Sequence, residues 1–240
     1  MDIKQSMSHF LTQSDSVGQS LFALLLLMSL ASWYFMMVKA WQMMMTRRRS
    51  KKFLADFWNA SSLQEVAKSL AKHSDNEPFA HLTYHAMNAV NHHAAHGVQR
   101  LQEAGSASEF LTRAMRRVID EETARLECGL TALGSIASTA PFVGLFGTVW
   151  GVYHALVTIG QTGQGSLEQI AAPVGEALIM TGLGLAVAIP AVLAYNDSTR
   201  SNRVLLAQLD AFAHDLFALL TTGSAINTHI TTDDAVLEYC

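Results

Sequence analysis

Charge is the scarcest property of this chain. Only 15% of its 240 residues are Asp, Glu, Lys or Arg while half are hydrophobic, and a soluble domain carries about 25% charged residues. That deficit argues against a water-surrounded globule. The net charge of −4 is small, so no basic surface for nucleic acid is indicated and none is expected as a partner. Cysteine is nearly absent. Cys128 abuts an apolar run and Cys240 is the last residue, which excludes a disulfide framework, and no accompanying Cys/His/Asn pattern suggests thiol catalysis. No nucleophile–base pair, metal-binding motif or phosphate-binding loop is present. An enzyme therefore has the least support, and no cofactor is expected.

What is present is long uncharged sequence. The first run, Val17 to Val38, is uncharged throughout and can cross a hydrocarbon core of about 30 Å at 1.5 Å per residue. It exceeds the apolar core of a secretory signal, and Trp33 and Tyr34 stand near its end where aromatic belts form. It reads as a retained span. Lys39, Arg47, Arg48, Arg49, Lys51 and Lys52 follow directly. By the positive-inside rule they place this side in the cytoplasm and the N-terminus outside. The same cluster is also compatible with anionic lipid head groups or a targeting signal.

Residues 39–127 form the one sizeable soluble part. Phe53, Leu54, Phe57 and Trp58, then Leu63, Val66, Ala67 and Leu70, recur at helical spacing. Pro78 suits the start of a second helix running to near Gln102. A third, starting near Ser108, carries Glu109/Arg113 and Arg117/Glu121 four apart and is expected to run on into the second span. A helical cytoplasmic extension, not a separate globular domain, is expected here. His81/His85 and His92/His96 have a spacing compatible with one-face metal binding, but no cysteine or acid lies among them, so a solvated helix is preferred and no metal is expected.

From Cys128 to Leu167 there is no Asp, Glu, Lys or Arg, and between Glu168 and Asp197 there is only Glu176. Two spans result, about 133–158 and 171–196. Gly144, Gly147 and Gly151 in the first, and Gly182 and Gly184 in the second, are small residues that let helices approach in lipid. Thr148 lies in a stripe with Ser138, Pro141, Leu145 and Val152, though a hydroxyl in a membrane helix often only bonds its own backbone. Pro173 is expected in the first turn of the third span and Pro190 at a kink. Glu176 is the exceptional residue. A lone carboxylate in a span costs about 2.5–3.5 kcal/mol on insertion scales, and low dielectric favours its neutral form. It reads as a protonation switch or, more simply, as a neutral acid bonding a neighbouring helix. Thr181 is five positions on, so an ideal helix does not stack the two.

The fold class expected is all-α, an integral membrane protein with three transmembrane helices and long helical cytoplasmic extensions. In order these are a periplasmic N-terminus (1–16), transmembrane helix 1 (17–38), a cytoplasmic helical region (39–132), transmembrane helix 2 (133–158), a periplasmic loop (159–170), transmembrane helix 3 (171–196) and a cytoplasmic C-terminal helix and tail (197–240).

Ala140–Gly151 (APFVGLFGTVWG) followed by Pro173–Asn196 (PVGEALIMTGLGLAVAIPAVLAYN) resembles the ExbB/TolQ/MotA proton-channel family. The resemblance covers about 60 residues and lies nearest the branch serving TonB, with the Tol branch next. It implies a pentamer in the bacterial inner membrane around the single membrane helices of an ExbD-like dimer. Proton flow through such a complex energises a TonB-like protein that opens outer-membrane transporters. It also implies a channel glutamate at Glu176 and polar channel threonines at Thr148 and Thr181, with a second acid supplied by the ExbD-like helix. A Tol-type role in envelope constriction and a non-conducting scaffold are the alternatives.

Overall fold

The computed structural model describes residues 16–60, 62–70, 77–96, 107–162 and 167–222, with the side chains of 63, 64, 68, 69, 93–96, 107, 162, 167–170, 172 and 176 left aside. The readings made on the N-terminus, the loop centre, the C-terminal tail, the side chain of Glu176, and the His93 and His96 rings lie outside the described residues. Among the described residues all regular structure is helical: α1 (Ser16–Asn59), α2 (Leu63–Leu70), α3 (Pro78–His96), α4 (Ala107–Glu127), α5 (Leu130–Thr162) and α6 (Leu167–Thr222). Three of these stretches are long and apolar enough to cross a membrane. The protein is thus an all-α, multi-pass membrane protein.

The chain divides into two units. The first contains the residues up to Met43 together with Glu127–Ser201. Here the start of α1 packs on α5 and α6 through Leu25, Ala140, Met180, Val187 and Ala188, and a second cluster joins Leu133, Ala137 and Ala191 beside Phe35 and Tyr195. The α5–α6 contact is made by backbone. A Cβ added at Gly144 would stand 2.7 Å from the Met180 carbonyl oxygen and 3.0 Å from the Gly184 Cα, and one added at Gly184 would stand 2.7 Å from the Ala140 carbonyl oxygen. Gly147 receives the Met180 side chain, and a Cβ added at Gly151 would stand 2.9 Å from the Ala177 methyl. Gly182 lies outside this seam. A Cβ there meets nothing within 4 Å, because its position on α6 points away from the face that α5 occupies.

Helix boundaries also differ from the sequence reading. The third helix does not run on into the second span. A turn at Cys128–Gly129 separates α4 from α5, and Gly129 adopts φ +81°, the left-handed conformation that ends helices at low cost when the residue lacks a Cβ. Helix α6 begins at Leu167, so Pro173 lies inside it rather than in its first turn, and it continues unbroken past Asn196 to Thr222. Proline is tolerated within membrane helices where neighbouring groups satisfy the freed backbone.

The second unit comprises Met44–Leu126 with the residues from Asn202 onward. It is not a coreless extension. Phe53, Phe57, Val66, Phe79, Leu82, Leu111, Met115, Val118, Leu205, Leu209, Phe212 and Leu216 form one buried core. Phe212 stands at its centre, with ring centroids 5.0 Å from Phe57 and 5.4 Å from Phe79 in edge-to-face contact. Long-range pairing of α6 with α1, α3 and α4 creates this core, and helical periodicity along 39–127 alone does not reveal it.

Buried polar groups in this unit are matched. Glu77 precedes α3, accepts hydrogen bonds from the Ala80 N–H and from the Ser50 hydroxyl at 2.8 Å, and so caps the helix while tying it to α1. Buried Glu122 of α4 meets His81 Nδ1 at 2.8 Å and Arg125 Nη1 at 3.6 Å. His81 also contacts the edge of His85, with centroids 4.7 Å apart, and His92 stacks on Phe110. The histidine spacing therefore serves helix packing at these three rings.

Two outcomes follow from this packing. Gly144→Ala forces a methyl against backbone that has no side chain to move, so it should lower the apparent Tm in detergent by the equivalent of about 1–3 kcal/mol. Gly182→Ala should leave it near wild type. Burial first, and then the neighbouring His81, hold the His85 imidazole below its ordinary value, with Glu121 opposing and Arg117 assisting. The unfolded chain then binds the extra proton more readily, so this contribution to stability is present above the unfolded value and is lost as pH falls below it. Melting curves at pH 8 and pH 5.5 should show a larger acid-induced loss for wild type than for His85→Gln.

Candidate functional site

In the first unit, α5 and α6 run antiparallel, and the Gly144–Gly184 contact fixes their register. One helical turn beyond it on each helix stand Thr148 and Thr181. The Thr181 hydroxyl donates to the Thr148 Oγ1 at 3.2 Å, and the Thr148 hydroxyl donates to the Leu145 carbonyl oxygen at 2.6 Å. Thr148 is buried and Thr181 half-buried. The back-bond expected of an ordinary membrane hydroxyl is therefore present, and a cross-helix bond is added to it. By contrast the hydroxyls of Ser135, Ser138 and Thr139 bond to carbonyls of their own helix.

A threonine hydroxyl is one donor and two acceptor positions on a freely turning rotor. The pair therefore forms a short polar string between two otherwise apolar helices. It cannot ionise at ordinary pH, but it can hold and orient a water or accept from a protonated acid. Such a pair is suited to lining a polar path. Ionisation has to come from a carboxylate.

The candidate is Glu176, whose backbone lies in α6. Carrying the helix register one residue past the Gly151–Ala177 contact sets it level with Val152. At about 100° per residue it lies about 140° round the helix from Thr181, so the two occupy different flanks of α6. The structure thus brings Thr148 and Thr181 together and sets Glu176 nearby on the same helix without stacking it on them. Of the five predicted packing glycines, Gly144, Gly147, Gly151 and Gly184 lie in the α5–α6 seam and Gly182 does not. The Thr148–Thr181 bond went unrecognised in the sequence. The signal for it was there, since each threonine lies one turn from a glycine of the same contact.

The outer surfaces of these helices are apolar. Phe142, Phe146, Val149 and Tyr153 on α5 and Leu178, Ile179, Leu185 and Ile189 on α6 are exposed, which suits lipid or neighbouring subunits and is costly in water.

Residues 76–211 match the MotA/TolQ/ExbB proton channel family. The chain is 41% identical over 204 residues to the biopolymer transport protein ExbB of Xanthomonas campestris pv. campestris, covering 84% of this chain and 81% of that one. It is 38% identical over 206 residues to the ExbB of Neisseria meningitidis, covering 86% and 93%. The Tol-Pal system protein TolQ of Pseudomonas aeruginosa is 29% identical over 215 residues, covering 90% and 92%. A profile match over more than half of the chain, and relatives at this identity across most of both lengths, place the protein: it belongs to the MotA/TolQ/ExbB proton channel family.

Proposed function

We propose that this protein is the proton-conducting stator subunit of an inner-membrane motor that uses the proton motive force to energise a TonB-like protein. The observation that carries the reading is the Thr181–Thr148 hydrogen bond, which joins α5 and α6 through polar side chains, α6 being the helix whose sequence holds the only carboxylate of the third span. In this reading Glu176 takes and releases the proton, and Thr148 and Thr181 line its path. The protein is a channel subunit, not an enzyme. One acid makes no complete path, so the second comes from the membrane helix of an ExbD-like subunit enclosed by a homo-oligomer, a pentamer in this proposal. The exposed apolar faces of α5 and α6 are suited to such neighbours. The basic residues after the first span favour a periplasmic N-terminus and a cytoplasmic C-terminus in the bacterial inner membrane.

The higher identity to proteins named ExbB than to TolQ favours the TonB-linked role over envelope constriction. Complementation of strains lacking one or the other separates them.

The proton role has a direct test. Glu176→Gln keeps shape and cannot ionise. Iron–siderophore uptake in cells relying on it should fall to background, with membrane levels of the protein and its single-span partner unchanged. Normal uptake would leave only a scaffold. Thr181→Val removes one cross-helix hydrogen bond and should reduce uptake by about two- to tenfold, the rate equivalent of about 0.5–1.5 kcal/mol.

A further inference from the structure

The second unit carries a cationic surface that its own packing does not use. Arg48, Arg49, Lys51 and Lys52 are all exposed on α1, while Ser50, Phe53 and Phe57 of the same helix are buried. At about 100° per residue the four cations cover an arc of about 160° opposite that buried strip. None of the four has a carboxylate partner among the described residues. Asp56 lies one turn after Lys52 on the same helix and does not pair with it either. Three of the pairings, Arg48/Lys51, Arg48/Lys52 and Arg49/Lys52, bring like charges to the i,i+3 or i,i+4 spacing, where they repel and weaken a helix.

Membrane topology requires only that cations be numerous on one side. It does not require them to be exposed, unpaired and mutually repelling in the folded protein. That arrangement is relieved by an external anion surface. The chain itself says which one, since Arg48 stands only nine positions after Lys39 at the end of the first apolar span.

We infer that Arg48, Arg49, Lys51 and Lys52 form a binding surface for the phosphate head groups of anionic phospholipids in the leaflet next to this span. The guanidinium forks of Arg48 and Arg49 suit phosphate oxygens in bidentate contact, and the two ammonium groups add point charge. Such a cluster beside a membrane helix attracts acidic lipid strongly at low salt and loses it as salt screens the field. The attachment holds the start of the second unit at the membrane surface. This is independent of whether the channel conducts protons, so it can fail or hold separately from that proposal.

The test uses the full-length protein in mixed micelles of phosphatidylglycerol and phosphatidylcholine, with bound lipid read by native mass spectrometry. Wild type should retain phosphatidylglycerol in excess of its bulk share. The variant Arg48→Gln/Arg49→Gln/Lys51→Gln/Lys52→Gln should lose that enrichment by about fivefold or more at low salt. Arg48→Lys/Arg49→Lys keeps the charge and should keep most of the enrichment. Equal enrichment in the four-site variant, with helix content and melting unchanged, overturns the inference. Should that variant fail to fold, a salt titration of wild type decides: enrichment insensitive to salt overturns it, and enrichment falling as salt rises supports it.

Discussion

The backbone contact between Gly144 and Gly184 is the constraint on which the membrane unit depends. Inside lipid there is no hydrophobic drive to bring two helices together, so association relies on close packing and on hydrogen bonds between them. Two facing glycines let the Cα atoms approach to a distance at which any side chain would strike a carbonyl oxygen. Met180 then fits against Gly147 and Ala177 against Gly151, and the register of α5 on α6 is set along several turns. The Thr181–Thr148 bond is a consequence of that register. So is the level at which the Glu176 backbone enters the pair. A polar path between helices needs the helices fixed, and small residues do the fixing.

The second unit solves a different problem by different means. It buries aromatic and aliphatic side chains around Phe212 in an ordinary hydrophobic core. Its buried carboxylates are each committed. Glu77 closes the N-terminus of α3 and binds Ser50, and Glu122 is matched by His81 and Arg125. Removing one partner of such a set strands a charge away from water and costs far more than the pair itself contributes. Arg48, Arg49, Lys51 and Lys52 of α1 are treated in the opposite way, left exposed on the side away from the core. The division between matched buried charge and unmatched exposed charge separates what holds this unit together from what it offers to its surroundings.

In this chain the third span holds one carboxylate in its sequence, the α5–α6 pair carries the Thr148 and Thr181 hydroxyls, and the outer faces of the same helices are apolar. Under the proposed function, ionisation would rest on the acid, since neither threonine hydroxyl ionises at ordinary pH.

The sequence by itself determined the class. Its uncharged runs are long enough to span a bilayer, its glycine spacing marks a packing seam, and the isolation of Glu176 singles out one acid, because each is a local property that lipid imposes on composition and period. The choice among the glycines, the joining of Thr148 to Thr181, the turn at Gly129 and the core around Phe212 were decided only in the tertiary structure. Each depends on which residues of distant helices meet. Gly182 has the same composition signal as Gly184, and only the azimuth of α5 on α6 tells them apart. Residues 202–222 read as part of a C-terminal helix and tail after the last span, with no core assigned to them, yet Leu205, Leu209, Phe212 and Leu216 complete a core begun at Phe53. A periodic apolar face announces that it will be buried and does not name its partner.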